Sequence, residues 1–256
     1  MKTNPKKEVL PLQVLILGAA AAAFRGMLYL VAVDEKGLLA RNHIVSWLLW
    51  LLCAVAAVLI FGSVRARKGS NRYWSNVSHG IPAAAGCWSL AAGIVLTLIS
   101  GNALQRTGLV RLWLIAGVLA AAGLVWSGWD RLQRRRPNLL CGSVLCLFLA
   151  LHMVSRYQPW SGNPQFQDWV FSLLAAVGLT LCAYHHSAFC AGMGHRRLFL
   201  GTQLMTLFLC CAALPHTEYF ALYLGGGIWA YTGLCPIASP AHKKTEPASE
   251  AGTETE

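Results

Sequence analysis

The chain has 256 residues, 56% of them hydrophobic and 12% charged, with a formal net charge of +11. A soluble domain carries roughly 25% charged residues, so half that share beside ten tryptophans argues against a soluble globule and for lipid as the solvent. The basic residues recur in short clusters between long apolar runs and form no single patch, which argues against a nucleic-acid surface.

In chain order the apolar runs are 10–33, 43–64, 79–101, 111–129, 139–154, 167–189, 198–214 and 219–236. Crossing ~30 Å of hydrocarbon takes about 20 helical residues. Most runs meet that length; 139–154 and 198–214 are short and borrow flanking residues. Backbone groups in lipid must be bonded internally, and the runs lack two-residue alternation, so each is expected to be a helix. The expectation is an all-α bundle of about eight membrane spans, with residues 1–9 and 237–256 as cytoplasmic ends. The tail "SPAHKKTEPASEAGTETE" is polar, contains proline and lacks aromatics, so it is expected to be disordered. A basic start followed by Ala19–Ala23 also suits a signal peptide. Against that reading, the apolar stretch continues past Arg25 to Val33, long enough to span.

The charges orient the spans. With the N-terminus in the cytoplasm, that side receives Lys2, Lys6, Lys7, Arg65, Arg67, Lys68, Arg72, Arg131, Arg134–Arg136, Arg196, Arg197, Lys243 and Lys244, fifteen in all. The other side receives five: Lys36, Arg41, Arg106, Arg111 and Arg156. The positive-inside rule then puts both termini in the cytoplasm, as for a multi-pass protein of the plasma membrane, in bacteria the inner membrane. Small residues four apart, Ala85, Ser89 and Gly93, suit close helix contact. The triplet Gly225–Gly227 in the last run suits either close packing or a break in the helix.

Chemistry-bearing residues are few. The nine cysteines lie in the runs or at their ends with no C-x-x-C spacing, as expected of small packing groups and not of zinc or iron–sulfur ligands. A bis-histidine haem needs two imidazoles at one depth. His152 falls near the outer end of its run, His185 and His186 near the inner end of theirs, so no cofactor is expected. No metal site is expected either. The candidate ligands for one are His43, His152 and His216, with Asp168, at the outer rim, where such groups are commonly just solvated. No carboxylate lies deep in a run, which counts against proton-driven transport. Motifs for nucleotide hydrolysis, zinc proteolysis and serine hydrolysis are absent, and no nucleophile–base pair is identifiable, so catalysis is not expected.

The exception to this blandness is "AAAAAFRGMLYLVAVDEKG" at 19–37, which sets Arg25 inside an apolar run. It lies about fifteen residues, ~22 Å, from the cytoplasmic entry, in the outer leaflet. One reading has Arg25 snorkel outward beside Tyr29. The other turns it inward to meet a carboxylate, Asp168 or Glu218 from another span or Asp34 after a chain turn, and to bind an anionic ligand. Arg25, Tyr29, Asp34, Asp168 and Glu218 are the expected ligand-binding residues.

The segment "YLVAVDEKGLLARNH" resembles a run found in uncharacterised multi-spanning bacterial integral membrane proteins, a group that implies no activity. Span number and size also look like those of the membrane-anchor subunits of molybdenum oxidoreductases, which bind quinol and partner subunits but generally place both termini outside. The functional expectation is small-molecule or ion binding and transport through an outward-facing polar site. The alternative is a non-catalytic membrane subunit or scaffold of a multi-protein complex, a redox anchor included. Expected partners are the bilayer and a membrane protein or second copy, with no nucleic acid.

Overall fold

A computed structural model of the chain describes residues 9–31, 43–65, 77–100, 108–162, 166–215 and 217–238; side chains at 9, 108–109, 157–162, 166–168 and 235–238 are not among those described. All regular structure among these residues is helical: α1 (Val9–Val31), α2 (Ile44–Arg65), α3 (Ile81–Ser100), α4 (Gly108–Leu132), α5 (Leu139–Gly162), α6 (Phe166–Cys190), α7 (Arg196–Ala213) and α8 (Phe220–Ala238). Successive helices are antiparallel. We call the end at which α1, α3, α5 and α7 finish the upper end, and the opposite one the lower end.

Helices α3 to α8 form a closed ring, each packing on the next and α8 returning to α3, while α1 and α2 pack outside it against α7. The α3–α8 seam is the tightest. A Cβ added at Gly93 would run into the Ala221 carbonyl oxygen, and one at Gly225 would lie 2.5 Å from that of Ser89. Without a hydrophobic force between helices in lipid, such close backbone approach supplies the van der Waals contact that holds them together. Helix α8 runs unbroken through Gly225–Gly227, so the triplet serves packing. Gly86 and Gly93 are buried on the α3 face of the seam, whereas Ala85 points away from it and is exposed.

Six helices, α1 to α6, are long and apolar enough to cross a membrane. Helix α7 carries Arg196 and Arg197 and buries Gln203 and Thr206. Its neighbours α1, α2, α6 and α8 enclose it, so it does not need a fully apolar surface. The periphery is apolar instead: α2 exposes Trp47, Leu51, Val58 and Phe61, and α8 exposes Phe220, Leu224, Ile228 and Tyr231 as one stripe. Exposed apolar area on this scale marks a surface made for lipid. The architecture is that of a helical membrane bundle.

Two helices end alike at the lower face. After α6, Met193 N–H donates to the Ala188 carbonyl (2.9 Å) and Gly192 N–H to that of Phe189 (3.1 Å), with Gly192 at φ +80°. After α4, Arg135 donates to Asp130 (2.8 Å) and Arg134 to Arg131 (3.2 Å), with Arg134 at φ +56°. These are Schellman closures. The left-handed conformation costs a non-glycine residue about 1 kcal/mol, so α4 stops at a strained arginine where α6 uses glycine.

Candidate functional site

The upper end collects the buried polar groups of the expected site. Arg25 turns into the bundle: it is 1% exposed and donates from Nη1 to the carbonyl of Ala212 on α7 at 3.0 Å. Its guanidinium carbon sits 5.2 Å from the ring centre of Phe171 and 5.9 Å from that of Tyr29. Side chains lean toward a helix's N-terminus, which lets Arg25 reach back down the parallel α7. A small cavity of about 10 Å³ adjoins it, lined by Arg25, Tyr29, Ser46, Trp50 and Phe171 among others.

The second cluster lies between α4, α5 and the start of α8. His152 is fully buried, its ring 6.2 Å from both Trp113 and Phe148 in stacked orientation and 4.8 Å from Tyr219 edge-on. Arg156, one turn further on α5, lies 4.4 Å over the Tyr219 ring and 4.0 Å from the Glu218 carboxylate. Thr217 Oγ1 accepts the Tyr219 N–H at 3.2 Å and receives the Ser172 hydroxyl at 3.4 Å; the Ser172 carbonyl takes the Tyr223 hydroxyl at 2.9 Å. These bonds fix the entry to α8 against α6, and so hold Tyr219 on His152.

The cluster is polar but unsatisfied. Both ring nitrogens of His152, Trp113 Nε1, Arg156 Nε and the Tyr219 hydroxyl are buried with no hydrogen-bond partner. More than nine in ten buried polar groups are ordinarily paired, and a neutral imidazole alone offers one donor and one acceptor. Five unmatched atoms around one buried ring make a constellation that a polar guest would complete.

Of the expected ligand residues, Arg25 and Tyr29 meet at one cavity. Glu218 is largely exposed and reaches Arg156, an ion pair worth at most about 1 kcal/mol at a solvated rim. Asp34 and the side chain of Asp168 lie outside the described residues. His152 is enclosed by aromatics, His43 precedes α2 with its Nδ1 accepting the Val45 N–H at 3.4 Å, and His216 lies outside the described residues. Among the described residues no three His, Cys, Asp or Glu side chains assemble to hold a metal. The eight described cysteines are free thiols.

Sequence reading did not single out Trp113, Arg156 and Tyr219. Each looks like an interfacial aromatic or a rim charge until the ring order of the helices brings them to His152. Below, just before α3, burial and the neighbouring Arg131 push the His79 imidazole down to about 4. Comparison with protein-family models, curated proteins and solved structures gives no match.

Proposed function

We propose that the chain is a multi-pass protein of the bacterial inner membrane, with both termini cytoplasmic, that binds or carries a small molecule or ion at an outward-facing upper end. The observation that carries the reading is the set of unmatched buried polar atoms around His152, one cluster away from the buried guanidinium of Arg25. Four of those atoms donate or can donate: Trp113 Nε1, Arg156 Nε, the Tyr219 hydroxyl and one imidazole nitrogen. A guest rich in acceptor oxygens suits them.

Native mass spectrometry of the full chain in mild detergent tests this. A co-purified small molecule on the wild type, absent from His152→Phe, is the expected result. Because His152 has no hydrogen bonds to lose, an apolar ring in its place should leave the melting temperature unchanged or raise it. A wild type without a bound molecule, beside a His152→Phe that is merely more stable, would leave the cluster a packing defect and remove the reading. The orientation is tested separately: reporters fused after Lys68, Arg136 and Arg197 should read cytoplasmic, and those after Arg41, Arg106 and Asn163 external. Inversion at two adjacent loops would sink it.

A second reading, a membrane subunit docked on another membrane protein or on a second copy, is favoured by the outlying α2. That helix packs chiefly on α1 and α7, touching α6 through Trp50 against Phe171, and presents Trp47, Leu51, Val58 and Phe61 outward. A stoichiometric protein partner in the same spectra would support it.

A further inference from the structure

The lower end holds another buried cation, and it belongs to a different place in the fold from the site above. By sequence Arg131 is one of a cluster with Arg134, Arg135 and Arg136. The structure separates them: those three are exposed, while Arg131, the last-turn residue of α4, is 2% exposed. The Schellman closure after Leu132 carries the chain sideways and leaves the Arg131 side chain folded in toward α5 and α6.

One Nη of Arg131 donates to Nε2 of His186. The ring therefore accepts there and carries its proton on Nδ1, 3.9 Å from the Cys190 thiol. Arg131 Nε has no hydrogen-bond partner. No ion pair joins Arg131 to a carboxylate among the described residues. The α4 C-terminal dipole offsets part of the cost of burying the charge but supplies no partner for that N–H.

Beside Arg131 is a cavity of about 10 Å³, lined on its polar side by Ser127, Asn138 and Ser187 and floored by apolar side chains including Trp229. Its donors can be counted. Ser187 spends its hydroxyl proton on the Ala183 carbonyl at 2.9 Å. Asn138 accepts the Leu140 N–H on Oδ1 at 3.1 Å, which leaves its NH₂ as donor. Arg131, Ser127 and Asn138, each with an N–H or O–H not spent on another described residue, thus line a space with room for one small occupant.

The size of the space favours a single small occupant over phosphate or a carboxylate. Charge then chooses between water and a monatomic anion: water would satisfy the N–H but leave the buried cation uncompensated, whereas an anion does both. We propose that this cavity is a binding site for a single halide, chloride in the cell, held by Arg131 with Ser127 and Asn138. The exposed Arg134–Arg136 beside it raise the local anion concentration.

Equilibrium dialysis of radiolabelled chloride against the purified full chain in gluconate buffer reads the site directly. The expected result is saturable binding of one chloride per chain, displaced by bromide and not by inorganic phosphate at equal ionic strength. Chloride should also raise the melting temperature saturably. Arg131→Gln is expected to weaken binding at least about tenfold, and Ser127→Ala by a smaller factor, since a charged donor contributes more than a neutral one. Should Arg131→Gln fail to fold, the wild-type isotherm and Ser127→Ala decide. Absence of saturable chloride binding to the wild type, meaning water only, overturns the proposal. So does equal competition by phosphate, or undiminished binding in folded Arg131→Gln.

Discussion

Gly225→Val is expected to lower the stability of the bundle by about 3 kcal/mol, the upper end of the usual range for overpacking. The reason lies in what the new side chain meets. At Gly225 a Cβ would stand 2.5 Å from the Ser89 carbonyl oxygen and 3.0 Å from the Leu90 Cα, both backbone atoms of α3. No rotamer change relieves a backbone clash, so α8 must move away from α3 along the tightest seam of the ring. The matched control is Gly62→Ala on α2, where nothing lies within 4 Å of the added atom. There the helix gains propensity without a clash, and a small stabilisation of about 0.5–1 kcal/mol is expected. Thermal unfolding of both variants in one detergent checks the pair. A Gly225→Val that melts with the wild type would mean that α3 and α8 do not approach this closely.

The same seam shows how far the fold is legible from residues alone. Apolar run length locates every helix, because lipid demands internal bonding whatever the side chains are. The ends are less legible, since charge and glycine act through neighbours that the sequence does not reveal. The run 139–154 stops before Arg156, yet α5 continues to Gly162, with Arg156 turned in to pack its guanidinium on Tyr219. The run 79–101 begins two residues too early, where Gly80 takes φ +87° and α3 starts at Ile81. Small-residue spacing finds Ser89 and Gly93 but assigns Ala85 to the contact face that Gly86 occupies, a slip of one residue around the helix.

Site residues divide in the same way. Arg25 is visible because a charge inside an apolar run stands alone. Arg131 is invisible because three exposed arginines follow it, and burial depends on where the helix stops. The partners of His152 come from α4 and from the start of α8, and a 3.6-residue period says nothing about which helix neighbours which. The ring order α3 to α8 carries that information.

Arg25 yields the other large effect, and a substitution series separates its two roles. Arg25→Ala removes a fully buried side chain, its bond to the Ala212 carbonyl and its cover over Phe171 and Tyr29. A loss of about 3 kcal/mol follows from cavity formation and an abandoned acceptor. Arg25→Met restores most of the volume without the charge, and replacing a buried ion by an apolar side chain of similar size is often neutral or better. Its melting temperature is therefore expected to return close to that of the wild type. Binding should divide the series differently. A guanidinium engages carboxylate or phosphate with a planar fork, whereas the ammonium of lysine is a point charge without the fork or the stacking face. Both Arg25→Met and Arg25→Lys are thus expected to lose the co-purified molecule, the former while remaining stable. The readouts are the melting curve and the native mass spectrum of each variant. Full retention of the bound molecule in Arg25→Lys would make Arg25 a mere positive charge at the upper end. Retention in Arg25→Met would remove it from the site altogether and leave binding to the His152 cluster alone.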